Sequence, residues 1–337
     1  MISVKRKVNV DDVLYIMVLL YALSTITQSL YPFSLNRLWT VGIVACLLYR
    51  LLSRLYTRTI MCMVVIVSCA MTTTIFAADI SKNTNDLIYF VTGVLWLLFI
   101  SDYANRERLY KSFLEHQRLT KAILVLSYVS MIISLLSGNG YAYQWGSTAY
   151  YIGFAGTQHA MASSICIVTA LFLLYSLNRK FSWLNLAAFM FSVYAVFETG
   201  ARTFIIPILI LMFYYIRYNI KSMNIKAMVY AVGFVGVLYA VQHSTILDKF
   251  SFVSSGGNMA TTALEGFTSG RSLFWAVDLS AFASGNVLQI IFGRGFDYVY
   301  GLNARMVNQR IWAHNDFIHL LLGGRGNGIL PLRLCHT

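Results

Sequence analysis

The sequence is short of charge. Only 12% of its 337 residues are Asp, Glu, Lys or Arg, about half the share of a soluble domain, and 58% are hydrophobic. So little polar surface cannot cover a globule in water, so most of the exterior must face lipid. Acid is the scarcer sign: 13 acidic residues stand against 26 basic ones, for a net charge of +13. In a soluble chain that excess would suggest nucleic acid. In a lipid-facing chain it first reports topology and anionic lipid, and no nucleic-acid partner is expected. Three prolines leave no Pro-rich linker. With no repeat and no low-complexity tract, residues 1–337 read as a single membrane domain. The five cysteines form no CxxC pair and read as small packing residues, so no disulfide framework is implied. There is no Walker pattern, no GxGxxG and no DxD-like pair after a strand, so no cofactor and no nucleotide-sugar or metal chemistry is expected. His314 and His319 are five residues apart, about 140° around a helix, which is wrong for an i,i+4 metal pair.

What the chain does have is apolar runs near 20 residues, the length that crosses a bilayer. They lie near 12–30, 38–53, 59–78, 87–103, 120–137, 159–177, 181–198, 203–217 and 227–241, with a broken start at 312–323. The reading is an all-α polytopic integral membrane protein of about ten transmembrane helices. With the N-terminus in the cytoplasm, most Lys and Arg fall on inner segments, and the alternation never breaks. The short outer loops hold only Arg37, Lys82 and Arg202.

Two outer loops stand out. The first, Gly138 to Gln158, is uncharged and tyrosine-rich. Its aromatics, Tyr143 and Trp145 among them, suit either an interfacial belt or a surface on which sugar rings stack. The second, 242–311, is too long to be a mere connector. Within it "RSLFWAVDLSAFAS" puts Phe274, Val277 and Ala281 on one stripe, with Gly285-Asn286 as a stop, and predicts a short amphipathic helix at the membrane surface.

Chemistry concentrates at four places. "RIWAHNDFIHLLLGG" sets His314 in the first turn of the last helix, where the helix field favours neutral imidazole and a base role; a polar cap is the plainer reading. Asn315 and Asp316 could do that capping alone, Arg310 shares a face with His314 if the helix begins early enough to include it, and His319, inside the helix, reads as structural. "FETGARTF" puts Arg202 at the outer surface, either paired with Glu198 or free as a fork for phosphate, with Pro207 in the first turn of the next helix. "TSGRSLFW" opens the surface helix on Arg271. "FGRGFDY" around Arg294 is either a plain turn or an anion nest. Arg202, Arg271, Arg294, Arg310 and His314 thus gather on the outer face, while no span carries a charge near its centre. That suits an anionic lipid head group and suits proton-coupled transport poorly.

A short "TGART" turn, then a large outer loop with "SGRSLFW" and "FGRGF", then "AHNDFIHLLLGG" opening a helix, together resemble the O-antigen polymerase and O-antigen ligase superfamily of bacterial envelope enzymes. The match covers roughly Thr199 to Gly324; earlier residues match only as hydropathy. The resemblance implies a helical, metal-independent glycosyltransferase of the bacterial inner membrane, working at the periplasmic face on undecaprenyl-diphosphate-linked oligosaccharide. Arg202 and Arg271 would hold the diphosphate. His314 would act as base or orienter for an acceptor hydroxyl that attacks the anomeric carbon with inversion. Arg294, Arg310, Asn315, Trp275, Tyr143 and Trp145 would contact substrate. The implied partners are the lipid-linked glycan, membrane lipid and a chain-length regulator protein. A polymerase, which elongates another lipid-linked repeat unit, is preferred over a ligase, which delivers to lipid A core; a lipid-linked oligosaccharide flippase is the more distant alternative. After Gly324 the family continues as an apolar helix, whereas this chain reads "RGNGILPLRLCHT". Residues 325–337 are therefore read as a truncated or frame-shifted tail.

Overall fold

The computed structural model describes residues 9–53, 57–138, 140–145, 148–177, 179, 181–243, 271–287, 289, 293–307, 318–319 and 322. Each apolar run from 12–30 to 227–241 is a helix: α1 (Val10–Ile26), α2 (Leu35–Leu52), α3 (Thr57–Phe76), α4 (Ile80–Ser101), α6 (Gln117–Leu136), α7 (Gln158–Leu177), α8 (Trp183–Glu198), α9 (Ile205–Asn219) and α10 (Met223–His243). Five of them, α2, α3, α4, α6 and α7, are long and apolar enough to cross a membrane. The run at 312–323 lies mostly outside the described residues; Ile318, His319 and Leu322 are helical.

Contacts divide the chain into two compact units. The first comprises 1–43 and 109–252 and the second 44–108 and 253–337. In the first unit α7 is the hub. It packs against α1, α6, α8 and α9, and Met161, Ala162, Ile165 and Val168 are almost completely buried. Hydroxyls on this greasy helix bond to their own helix: Ser164 donates to the Ala160 carbonyl and Thr169 to the Ile165 carbonyl. That local bond lets a polar side chain sit in an apolar helix without another partner. Outside these contacts, large apolar side chains such as Val41, Met71, Tyr89, Leu184, Ile206 and Phe234 are exposed. Apolar exposure on this scale suits lipid as the surrounding solvent.

The chain is mostly helical, as expected, with one short departure among the described residues. The aromatic loop after α6 contains a β-hairpin, β1 (Tyr141–Trp145) with β2 (Thr148–Tyr151), pairing Tyr141 with Tyr151 and Tyr143 with Ala149. Tyrosine-rich alternation around a Gly-Ser turn has strand propensity, which an expectation based on apolar length overlooks. The hairpin is fastened by its tyrosines. The Tyr151 hydroxyl bonds to the Met131 carbonyl (2.9 Å) and Ser134 Oγ (2.8 Å), and Tyr141 donates to Glu198 Oε2 (3.2 Å). The segment between α4 and α6 is a further helix, α5 (Tyr103–Glu115), largely polar but with Phe113 buried in the core.

Two short helices are described after α10: α11 (Arg271–Ala283) and α12 (Tyr298–Val307). The helix predicted from "RSLFWAVDLSAFAS" is present and ends at Ala283, ahead of Gly285-Asn286. Its inward face differs from the expected stripe. Asp278 is fully buried, and Trp275 and Phe282 pack on a small core of Val299, Ile318 and Leu322. Trp275, Asp278 and Phe282 share one helical face at i, i+3 and i+7. Phe274, Val277 and Ala281 lie beside it, partly exposed.

Candidate functional site

The second unit holds a polar cluster built around the N-terminal end of α4. Helix N-termini leave several N–H groups without intrahelical partners. Here Asp79 caps α4 by accepting from the Lys82 N–H (3.2 Å). Asp297, more than two hundred residues later, accepts from the backbone N–H of Ala78 (2.9 Å) and of Asp79 (2.7 Å). Two carboxylates thus meet the positive end of one helix, where the dipole favours them. One turn in, Asn83 Oδ1 accepts from the Phe296 N–H (2.9 Å). One turn further, Asp86 receives the Tyr300 hydroxyl (3.4 Å) on one oxygen and lies 3.1 Å from His319 Nε2 on the other. His319 is 5% exposed, stacked on Phe296 and edge-on to Tyr300. The Lys82 ammonium rests 4.2 Å from the centre of the Tyr300 ring. Burial, and then the neighbouring Asp86 charge, push the Tyr300 phenol up from its usual range.

This geometry decides between the two readings of "FGRGFDY". Gly293 and Gly295 both take positive φ (83° and 87°), so the segment is a turn. Its N–H groups are already used: Arg294 donates to the Leu322 carbonyl (3.0 Å) and Phe296 to Asn83. The plain turn therefore stands over the anion nest. The turn ties its segment to the α3–α4 connection and to the last apolar segment. His319, read as structural, is held as such.

Arg294 lies with its guanidinium 4.7 Å from the Tyr298 ring and donates from Nη1 to that hydroxyl. Arg271 is the first described residue of α11. Burial lowers its pKa from the usual arginine value, and among the described residues no carboxylate pairs with it. A cation partly stripped of water is stabilised by any anion that reaches it. On the same helix, Asp278 is fully buried and neither carboxylate oxygen has a partner among the described residues. Burial pushes its pKa up from 3.8 to about 6. A carboxyl whose folded-state pKa is raised binds its proton more tightly in the folded state. Stability is then greatest below pH 4 and falls as pH rises through about 6. Asp278→Asn should therefore raise the thermal midpoint at pH 7.5, by an equivalent of about 1–3 kcal/mol, and leave it unchanged at pH 3.5. Equal shifts at both pH values would refute the ionisation argument.

Arg202 belongs to the first unit. Gly200, at φ 61°, breaks α8, and Arg202 opens a single 3₁₀ turn before α9, with Pro207 in the first turn of that helix as expected. The Arg202 side chain lies outside the described residues. Its alternative partner, Glu198, accepts from Tyr141. Tyr143 and Trp145 sit on β1, with side chains outside the described residues. Arg310, His314 and Asn315 lie outside them entirely.

The structure thus brings Arg271, Trp275 and Arg294 into one unit with the helix that follows His314. Sequence reasoning missed Lys82, Asn83, Asp86, Asp297 and Tyr300. Lys82, Asn83 and Asp86 belong to the continuous polar run "SKNTND" at 81–86, which opens an otherwise apolar helix and was legible as such. Among the described residues no group of His, Cys, Asp and Glu could hold a metal ion. Comparison of the chain with models of known families, with curated proteins and with solved structures finds no match.

Proposed function

We propose that this protein is a polysaccharide polymerase of the bacterial inner membrane, a polytopic enzyme of about ten spans with a cytoplasmic N-terminus. It transfers an undecaprenyl-diphosphate-linked glycan to the hydroxyl of another lipid-linked repeat unit at the periplasmic face, without metal and with inversion. The observation that carries this reading is the meeting of three sequence motifs in one small core. Trp275 of "SGRSLFW" and Tyr298 of "FGRGFDY" pack on Ile318 and Leu322 of "AHNDFIHLLLGG". Residues far apart in the chain gain nothing from proximity unless the fold or a shared site requires it.

The chemistry asks little of covalent catalysis. Diphosphate is a good leaving group, so the site must mainly neutralise its charge, and preorganised arginines do that. Arg271, partly desolvated and without an acid partner among the described residues, suits the task; Arg202 is its proposed counterpart. His314 takes the proton of the attacking hydroxyl. The bond formed is acceptor oxygen to anomeric carbon, the bond broken is anomeric carbon to phosphate oxygen, and undecaprenyl diphosphate leaves.

Expression in a strain deleted for its own polymerase tests the reading. A ladder of surface polysaccharide on a gel is expected. Persistence of a single capped repeat unit, with the protein present in the membrane, would overturn it. Repeating the experiment in a ligase-deleted strain then asks whether delivery to lipid A core is the reaction instead.

A further inference from the structure

The opposite end of α6 from the hairpin holds a feature the proposed reaction does not use. Where α5 turns into α6, an open cavity of about 630 Å³ is lined by residues from 114 to 121 and by Tyr175 and Arg179 at the end of α7. The corner is a fixed one. The helices break at His116, whose ring stacks on Tyr15 at an interplanar angle of 20°. The Tyr15 hydroxyl bonds to Thr120 Oγ1 at 2.7 Å, locking α1 to the first turn of α6. His116 Nε2 stands 3.5 Å from Asp12 Oδ1. That contact is an ion pair when the imidazole is protonated, although His116 Nε2 makes no aligned hydrogen bond among the described residues. Asp12 therefore offsets His116, and the cavity's excess charge comes from Arg118, Lys121 and Arg179 against Glu115 alone.

The three cations are arranged for use. Arg118 and Lys121 are three residues apart on α6 and so share a face. Arg179 lies 4.1 Å over the ring of Tyr175, which holds a guanidinium in place while leaving its in-plane N–H fork open. Leu114, Leu119 and Tyr175 supply an apolar wall beside them. The cavity opens where two membrane-length helices, α6 and α7, end, beside the last turns of α5 with its Lys111. Cations at the depth of helix ends, with apolar surface adjoining, match a phosphate on one side and a hydrocarbon on the other.

We infer that the α5–α6 corner binds a phosphate group carried on an apolar chain, held by Arg118, Lys121 and Arg179 with Leu114 and Leu119 beneath the chain. The inference stands apart from the polymerase reading, since its test involves no glycan transfer.

The test is a lipid titration of the full chain in neutral maltoside detergent, read by native mass spectrometry. Phosphatidylglycerol is the probe, phosphatidylcholine the charge-masked comparison and inorganic phosphate the competitor. Arg118→Glu with Arg179→Glu should weaken phosphatidylglycerol binding at least about tenfold. Leu114→Trp, which keeps every charge but fills the cavity, should weaken it about fivefold. Arg217→Glu with Lys221→Glu, near the end of α9, should change it less than about twofold. Arg118, Arg179 and Leu114 are exposed, so the substituted chains should stay monodisperse; Arg118→Gln with Arg179→Gln gives a milder variant with an intermediate loss. If millimolar phosphate displaces the lipid, the site takes soluble phosphate groups as well; if not, the lipid is its ligand. Equal losses in the α9 control, or no loss with Leu114→Trp, would overturn the site.

Discussion

Arg271→Ala is expected to reduce polysaccharide chain growth about 10²- to 10³-fold at equal membrane abundance, the usual cost of losing one preorganised group at a developing charge. The expectation rests on where Arg271 sits. It lies in the first described turn of α11, and burial lowers its pKa. No carboxylate among the described residues offsets it. In the resting protein its charge is therefore a liability, relieved only when an anion arrives. Two readouts separate this from a structural role. The thermal midpoint of Arg271→Ala should not fall, because the folded state loses an unfavourable charge rather than a bond. Arg271→Lys should recover only part of the activity, since an ammonium is a point charge while the guanidinium fork matches two phosphate oxygens. His314→Ala should cost about 10²- to 10⁴-fold by removing the base. Arg305→Ala, at an exposed position in the last turn of α12, should leave activity unchanged. Retention of activity within about threefold in Arg271→Ala, below what a charge-stabilising group is worth, would remove that residue from the mechanism.

The second large effect concerns stability. Gly295→Ala should lower unfolding free energy by about 2–5 kcal/mol, combining the left-handed backbone penalty with overpacking. Gly295 has φ +87°, and a Cβ there would stand 2.7 Å from Asp297 Oδ1, 3.2 Å from the Thr73 carbonyl oxygen and 3.3 Å from Ala77 Cα. Two of these neighbours are backbone and cannot swing away. Asp297→Ala should do comparable damage by a different route. It strips the acceptor from two N–H groups ahead of α4, at about 1–3 kcal/mol for each donor left unsatisfied. Gly301→Ala supplies the internal comparison. It is helical with open space around it, so alanine should stabilise by up to about 1 kcal/mol. Thermal unfolding in detergent ranks the three. If Gly295→Ala melts with the wild type, the "FGRGFDY" turn is not the tie between its segment and the α3–α4 connection.

The architecture was legible where it followed from local chemistry. Apolar runs near bilayer length became helices because a backbone out of water must satisfy its own hydrogen bonds. "RSLFWAVDLSAFAS" became α11 and the G-x-G became a turn because propensity and glycine conformation act over a few residues. The hairpin at Tyr141–Tyr151 was missed by attending to apolar length rather than alternation. The inward face of α11 was misplaced because periodicity alone cannot say that a buried Asp278 will share a face with Trp275.

By itself the sequence determined the solvent, the helical class and the order of its motifs, since charge scarcity and run length are properties of the chain. Only the tertiary structure decided which residues meet. It set Asp297 on the N–H groups before α4, Asp86 against Tyr300 and His319, and Trp275 on Ile318 and Leu322. Each pairing spans tens to hundreds of residues, and its energy comes from burial and from satisfying donors left over by other elements. No window of the sequence holds both halves of such a bond, so only the folded chain can decide it.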